Sequence, residues 1–238
     1  MSLSDEERQF WNDWNTRIRE EVPLDLASRR RGETVLSMLG SLMLENPRIL
    51  EVGCGTGWLA ERLTRFGTVF ATDLADEVIT RAQRRVEAVT FVAGDIMTLT
   101  LPLETFNVVV TLETLSHVAD QRAFVGRLAD LLRVGGYLIL TTQNSFVFER
   151  RNDVLPRCPG QRRSWVNWKD LKRLLKPRFT ILSATTVEPA GHRGVLRLVN
   201  SVKLNAQLGR LLSMNTIERL KERVGLGQSL VVLCRRKA

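Results

Sequence analysis

Apolar and polar residues alternate in blocks through the middle of the chain. Short apolar runs of the kind that form buried strands lie at residues 48–52, 69–73, 89–93 and 106–111, and within 131–144 after a double-glycine turn. Stretches with the apolar spacing of amphipathic helices separate these runs. Strands that alternate with helices in this order predict a parallel sheet with right-handed crossovers and helices on both faces.

Two helical patterns precede this block. The first places Phe10, Trp11, Trp14 and Ile18 on one face, and the second spans residues 28–44. The two tryptophans could cover a ligand or pack against the rest of the domain, and such a stripe favours packing.

The sequence after residue 145 predicts less regular structure. A loop, a short helix and two further strands are indicated at residues 146–164, 168–175, 179–187 and 229–235. A long insertion at 188–228 separates the last two strands, and its residues 195–212 and 216–224 have helical patterns. We expect this insertion to form a lid that excludes water from a site. A dimer contact and a membrane-surface helix are the alternatives.

Length and composition are those of a globular protein with one domain. The chain has 238 residues, of which 44% are hydrophobic, and no apolar run approaches the ~20 residues that span a bilayer. Its three cysteines, Cys54, Cys158 and Cys234, form no Cys-x-x-Cys pair. The first residues are polar and acidic, unlike a signal peptide. We therefore expect a cytoplasmic protein without a disulfide framework.

The charge is distributed unevenly along the chain. Residues 1–146 hold 15 Lys+Arg and 20 Asp+Glu, a net charge of −5, whereas residues 147–238 hold 20 and 6, a net charge of +14. Such asymmetry indicates an anionic substrate, an RNA or a membrane surface, or simply a solvated basic face. In the acidic part, Arg29, Arg30 and Arg31 oppose the dipole of the second helix, and one of them could meet a carboxylate.

The turn after the first strand carries the chemistry that is most specific. Residues 53–57 read Gly-Cys-Gly-Thr-Gly, and Glu51 precedes them by two positions. Asp73 follows Gly53 by 20 residues, at the end of the second strand. In nucleotide-binding βαβ units an acid at that distance binds the ribose, while the glycines let the backbone approach the ligand.

Two phosphate-binding features are missing from this turn. It lacks the Gly-x-Gly-x-x-Gly spacing that seats a pyrophosphate, and no Lys-Ser/Thr pair follows it. The pattern therefore favours a nucleoside without a phosphate chain. S-adenosylmethionine, with its adenine, ribose and amino-acid end, fits this description.

These residues resemble the class I S-adenosylmethionine-dependent methyltransferases, and in particular the ubiquinone-biosynthesis-like (type 11) branch. The segments that carry the resemblance are the glycine turn, residues 94–96, 106–111, 113–120 and 131–144. The resemblance implies a Rossmann-like, seven-stranded, mostly parallel sheet with helices on both faces. N-terminal helices precede this sheet, and the helical insertion separates its last two strands, which in the family form a hairpin.

The resemblance also implies a cofactor site. In the family, the acid that matches Asp73 binds the ribose and the acid that matches Asp95 binds the adenine amino group. The residues that we assign to S-adenosylmethionine are Glu51, Gly53, Cys54, Gly55, Gly57, Asp73, Leu74, Asp95, Ile96 and Leu112.

The candidates for catalysis are fewer. His117 follows the fourth strand, where it could be a general base for an alcohol or phenol acceptor or could brace the next helix. Glu113 and, more weakly, His192 are further candidates. Some relatives have Glu-x-x-Glu-His here and can bind a metal, but Ser116 replaces the second acid, so we predict no metal site.

The expected organisation and activity follow from these assignments. Residues 1–238 form one domain, with N-terminal helices at 1–46, a cofactor-binding core at 47–145 and a substrate-side part at 146–238 whose helical cap lies at about 189–228. We expect methyl transfer to a small acceptor, which could be anionic, most simply at a hydroxyl oxygen. An RNA methyltransferase, a non-catalytic cofactor-binding partner protein and peripheral membrane contact are the alternatives.

Overall fold

Seven strands form one sheet in the computed structural model, which describes residues 5–210 and 212–238. The strands are β1 (Arg48–Val52), β2 (Thr68–Asp73), β3 (Val89–Ala93), β4 (Phe106–Leu112), β5 (Leu132–Gln143), β6 (Phe179–Pro189) and β7 (Gly227–Arg236). Their order in the sheet is β3-β2-β1-β4-β5-β7-β6. Strands β1 to β5 run parallel, and β7 is antiparallel to both β5 and β6. The predicted α/β fold with a mostly parallel sheet is confirmed.

Helices cover both faces of this sheet. The helices of the described residues are α1 (Asp5–Asn15), α2 (Leu26–Gly40), α3 (Trp58–Leu63), α4 (Asp76–Arg85), α5 (Gln121–Leu131), α6 (Ser145–Phe148), α7 (Trp168–Leu175), α8 (Gly194–Val199), α9 (Val202–Leu208) and α10 (Met214–Arg223). A π-helical turn at Thr16–Glu20 extends α1, and a 3₁₀ turn at Leu115–His117 follows β4.

The period-2 alternation of the central strands produces two hydrophobic cores. Leu50 and Val109 point to the face that α5 and α7 cover, while their neighbours Ile49 and Val108 point to the face that α2, α3 and α4 cover. Because both faces are buried, these strands read in the sequence as nearly continuous apolar runs.

The insertion between β6 and β7 differs from its predicted form. The helical pattern at 195–212 is divided into α8 and α9, because Ser201 caps α9 by accepting a hydrogen bond from the Leu204 N–H. Residue 211 of that pattern lies outside the described residues. The two helices leave Val195, Leu198 and Val202 more than half exposed.

Helix α2 begins earlier than its pattern indicated. The Asp25 side chain accepts a hydrogen bond from the Ser28 N–H and so caps a helix that starts at Leu26 instead of residue 28. Across the described ranges, 5–210 and 212–238, no helix is both long and apolar enough to cross a bilayer.

Candidate active site

A cavity of about 600 Å³ lies at the edge of the sheet where β1, β2, β3 and β4 end. The strand order reverses between β1 and β4, and parallel sheets bind ligands at such a switch point. The strand ends contribute Glu51, Val52, Gly53, Cys54, Gly55, Thr56, Thr72, Asp73, Leu74, Gly94, Asp95, Ile96, Met97, Leu112, Glu113 and Thr114. Further walls come from α1, α2, the 3₁₀ turn with His117, Gln228 and residues 148–165, which we call the cover segment.

The glycine turn lets the backbone approach the cavity closely. Gly53 and Gly55 have positive φ angles of 76° and 51°, which disfavour residues with a Cβ. A Cβ on Gly53 would overlap the Thr114 hydroxyl, and one on Gly55 would lie 2.8 Å from Asn15 Oδ1. The turn therefore requires glycine at both positions for geometric reasons.

Asp73 connects this turn to the end of β2. Its Oδ2 accepts a hydrogen bond from the Gly55 N–H at 2.7 Å, and its Oδ1 accepts one from the Ala75 N–H at 2.9 Å. Burial raises the pKa of the Asp73 carboxyl, although these backbone donors oppose the rise. Each oxygen keeps a lone pair that could accept from a ribose hydroxyl.

Glu51 provides a buried acceptor below the turn. Among the residues that the structure describes, its Oε2 atom has no hydrogen-bond partner. Burial, and then the negative charge of Asp73, raises the pKa of Glu51 well above its ordinary value. An unpaired buried carboxyl oxygen is costly, so it fits a ligand that brings an ammonium group.

The end of β3 supplies a site suited to a planar base. Asp95 holds its own turn, since Oδ1 accepts from the Met97 N–H at 2.9 Å. Ile96 and Met97 line the cavity beside Asp95, and Leu74 from the end of β2 adds another apolar side chain. An apolar slot with one carboxylate at its rim matches adenine and its exocyclic amino group.

Most residues predicted to bind the cofactor converge here. Of the ten, all except Gly57 line the cavity. Gly57 instead immediately precedes α3 and has a φ of 76°. A Cβ on Gly57 would lie 2.7 Å from the Phe91 ring, so glycine makes room for that ring. The role of Gly57 is to connect the turn to the helix.

Glu113 lies at the end of β4 in a strained conformation. Its φ is 57°, which non-glycine residues rarely adopt. The Glu113 N–H donates to the Thr141 carbonyl at 3.0 Å, and the Thr141 hydroxyl donates to Glu113 Oε1 at 2.9 Å. This local arrangement holds the Glu113 side chain at the cavity wall.

His117 has the geometry of a neutral base. Its Nδ1 lies 2.7 Å from the Arg162 carbonyl oxygen, so Nδ1 carries the proton and Nε2 keeps a free lone pair. Burial lowers the pKa of His117, and the positive charge of Arg163 lowers it further. The hydrogen bond to the Arg162 carbonyl acts in the opposite direction and raises the pKa. The Trp11 ring packs against the imidazole with centroids 4.7 Å apart.

His192 lies outside the cavity. Its side chain is half exposed, and its Nδ1 is 4.0 Å from an Asp153 carboxylate oxygen. Within residues 5–210 and 212–238, no three His, Cys, Asp or Glu side chains are grouped closely enough to hold a metal ion.

Helix α1 and the cover segment form the wall that the insertion was expected to form. Of the described residues between 189 and 228, only Gln228 lines the cavity, whereas Trp11 and Trp14 of α1 both do. The insertion therefore contributes little to the cavity wall in this structure, and the two tryptophans, for which packing was favoured, also line the cavity.

Three contacts hold this wall in place around the 3₁₀ turn. The buried Glu7 carboxylate pairs with Arg162, and His117 donates to the Arg162 carbonyl. The Ser164 N–H donates to the Ser116 carbonyl at 2.8 Å. Helix α1, the cover segment and the candidate base are thus linked through a few residues.

Sequence reasoning missed most of the arginines at the cavity. The arginines that line the cavity are Arg19, Arg31, Arg151 and Arg163. Of the three arginines that begin α2, Arg31 is the one at the cavity, where it donates to the Ser28 hydroxyl at 2.8 Å. A basic loop with prolines was the available signal, but it does not show which side chains point inward.

Comparison with known protein families matches residues 50–140 to the family described as a methyltransferase domain. Over these residues the chain is similar to that family. An uncharacterized methyltransferase of Mycobacterium tuberculosis is 40% identical over 97 residues, which are 40% of this chain and 49% of that protein. A ubiquinone biosynthesis O-methyltransferase of Methylocella silvestris is 34% identical over 146 residues, 57% of this chain and 55% of that protein. The chain spans about half the length of these curated relatives.

Solved structures show a similar fold over nearly the whole chain. The N-methyltransferase NodS of Bradyrhizobium japonicum, in complex with S-adenosylhomocysteine, gives a TM-score of 0.67 at 15% identity and covers 98% of this chain and 100% of its own. The [4+2]-cyclase SpnF gives 0.66 at 17% identity and covers 99% and 98%. At such identities the likeness concerns the fold alone, and that fold hosts more than one chemistry.

Proposed function

We propose that the protein transfers the methyl group of S-adenosylmethionine to a hydroxyl oxygen of a small-molecule acceptor. The observation that carries this proposal is one cavity in which the acids of a phosphate-free nucleoside site, Glu51, Asp73 and Asp95, share a wall with a neutral histidine, His117.

Each acid has a role that its surroundings support. Asp73 accepts from the ribose hydroxyls, and its two backbone bonds fix the carboxylate for that task. Asp95 accepts from the adenine amino group at the rim of the apolar slot. Glu51 binds the ammonium group with its unpartnered Oε2. S-adenosylmethionine supplies a methyl group that its positive sulfur has already activated.

His117 is the proposed base for the acceptor. His117 Nε2 would take the hydroxyl proton as the acceptor oxygen receives the methyl group that bound S-adenosylmethionine would supply, with S-adenosylhomocysteine as the leaving group. The Arg162 carbonyl keeps the Nδ1 proton in place and so holds the required tautomer. Alignment of oxygen, carbon and sulfur supplies much of the remaining acceleration.

The elements that line the cavity also indicate where the acceptor binds. We assign cofactor binding to residues 47–145, and acceptor binding to α1, the cover segment and Gln228. Relatives named ubiquinone biosynthesis O-methyltransferases support oxygen as the acceptor atom.

Two measurements test this proposal in sequence. Titration calorimetry with S-adenosylhomocysteine should show one saturable site per chain, and its absence would refute cofactor binding. Radiolabelled S-adenosylmethionine is then offered with catechols, with aromatic amines and with total RNA. Label on a catechol oxygen supports the proposal, whereas label on the amines or the RNA, or none at all, contradicts it.

A further inference from the structure

The acceptor half of the cavity has aromatic walls. On one side the Trp11 ring packs edge-on against His117. On another side Phe148 and Trp165 form a pair whose ring centroids are 4.9 Å apart and whose planes are inclined by 42°. All four side chains line the cavity. Walls of this kind favour a flat aromatic molecule, because offset and edge-to-face ring contacts stabilise it.

Arg163 adds a cationic group to these walls. Its guanidinium donates to the Leu155 carbonyl and to Gln161 Oε1, both at 2.8 Å, and both acceptors are neutral. In the part of the chain that the structure describes, Arg163 forms no ion pair with a carboxylate. A guanidinium has five N–H donors, so this partly buried cation retains donors for another acceptor. Its preferred partner is a carboxylate, which can bind in a bidentate manner.

Arg163 also lies beside the proposed base. The carbonyl of the preceding residue, Arg162, accepts the His117 Nδ1 proton. The positive charge of Arg163 is close enough to contribute to the lowered pKa of His117. An anion bound by Arg163 would therefore belong to a molecule that reaches the reacting end of the cavity.

The other arginines at the cavity are engaged differently. Arg19 pairs with Asp25 at 2.9 Å, and Arg151 pairs with Asp153 at 2.6 Å. Arg31 donates to neutral groups, the Ser28 and Ser229 hydroxyls, but it lies on the α2 side of the cavity. Arg163 combines three features: a cavity position, neutral partners and proximity to His117.

We propose that Arg163 selects the acceptor by binding its carboxylate, so that the acceptor is a hydroxylated aromatic acid. This inference rests on the methyl transfer proposed above. In this arrangement the ring lies against the aromatic walls, and a ring hydroxyl meets Nε2 of His117. The anionic partner that the basic distal part of the sequence indicated is thereby a small molecule.

The test uses two probes that differ in one charge. Protocatechuate is a catechol with a carboxylate, and its amide has the same ring and hydroxyls but is neutral. Binding of each probe to the full chain saturated with S-adenosylhomocysteine is measured by calorimetry. We expect the acid to bind about tenfold more tightly than the amide or better, as is typical of a charge-assisted bidentate contact.

Variants test whether Arg163 causes the preference for the acid over the amide. Arg163→Gln should reduce the ratio of the two affinities to about one, and Arg163→Lys should restore part of it because the charge remains. Arg157→Gln is the matched control, since Arg157 is exposed on the same segment outside the cavity. It should leave the preference unchanged.

The outcomes separate this inference from the proposed function. Failure to bind S-adenosylhomocysteine refutes the function itself. With that binding intact, the inference is overturned by any of three results: equal affinity for the two probes, no saturable binding of protocatechuate, or a preference that survives in Arg163→Gln. Kinetics add a further check, because Arg163→Gln should raise KM for the acid more than it lowers kcat.

Discussion

Asp73 has two functions in the structure, since it holds the glycine turn and faces the cavity. Asp73→Asn replaces one acceptor oxygen by an amide donor, which would oppose either the Gly55 or the Ala75 N–H. We expect S-adenosylhomocysteine to bind more weakly by about 1–3 kcal/mol. Calorimetry measures the change, and Asp13→Asn, an exposed position on α1, is the control. An unchanged affinity would contradict the ribose assignment.

His117 could be a base or a brace, and one substitution distinguishes these roles. In His117→Asn the amide N–H can still donate to the Arg162 carbonyl, but the basic nitrogen is lost. If His117 is the base, kcat should fall about 10²-fold or more while the thermal stability changes little. His192→Asn, which alters the other histidine of the chain, should keep full activity. An unchanged rate with a lower melting temperature would indicate a brace.

The lowered pKa of His117 predicts how activity and stability change with pH. Burial lowers its pKa below the ordinary 6.5, so the imidazole remains neutral and basic as the pH falls past 6.5. The acid limb of kcat/KM should therefore lie below 6.5. Because unfolded histidine binds a proton more readily than folded His117, stability should also fall as the pH drops below 6.5. An acid limb above 6.5 would exclude His117 as the base.

Individual site residues were predictable where a strand fixes their direction. Glu51 is next to last in β1, Asp73 ends β2 and Asp95 follows β3. The C-terminal ends of these parallel strands lie at one edge of the sheet, so the convergence of the three acids follows from the topology. Arg163 was not predictable, because its position depends on long-range contacts of the cover segment with α1 and the 3₁₀ turn. No local periodicity encodes such contacts.

At the scale of elements, the glycine turn gives a sharp prediction. Gly53→Ala places a methyl group against the Thr114 hydroxyl in a backbone conformation that alanine disfavours. We expect a loss of about 1–3 kcal/mol in the free energy of unfolding. We also expect weaker binding of S-adenosylhomocysteine, because the turn must shift. Chemical denaturation and calorimetry measure the two effects.

Helix α5 supplies the matched control for that substitution. Gly126 lies inside this helix, and a Cβ there would meet no heavy atom within 4 Å among its described neighbours. Gly126→Ala should therefore stabilise the protein by about 0.5–1 kcal/mol, because alanine has the higher helix propensity. Equal effects of Gly53→Ala and Gly126→Ala would show that the turn imposes no special geometry.

The elements between β1 and β5 were predictable, whereas the insertion was predicted only in part. The central strands are buried on both faces, so their apolar runs are distinct in the sequence. In the insertion, Ser201 is a good helix cap but also an acceptable helix residue. Tertiary packing decides between these uses, and the sequence alone therefore indicated one helix where two form.

At the scale of the whole molecule, folding partly cancels the charge asymmetry of the chain. Arg162, Arg178 and Arg236 come from the basic distal part, and each pairs with an acid of the first 146 residues. Their partners are Glu7, Asp130 and Glu104. A count along the sequence therefore overstates the free positive surface, which weakens the case for RNA as the acceptor.

The last prediction concerns the stability of the whole fold with ligand bound. A ligand that binds only the folded state at 100 times its Kd stabilises that state by about 2.7 kcal/mol. For a domain of this size, 1 kcal/mol raises Tm by about 2–4 °C. Saturating S-adenosylhomocysteine should therefore raise Tm by about 5–11 °C in a thermal-shift assay, and much less in Asp73→Asn.

ATP distinguishes the proposed site from a general adenine site. The turn at residues 53–57 lacks both the pyrophosphate spacing and a following lysine, and Glu51 and Asp73 would repel a triphosphate. ATP at the same concentration should thus produce a clearly smaller shift than S-adenosylhomocysteine. A larger shift with ATP would mean that the cavity binds phosphates, and the roles assigned to these acids would then be wrong. The comparison tests the cofactor assignment without any knowledge of the acceptor.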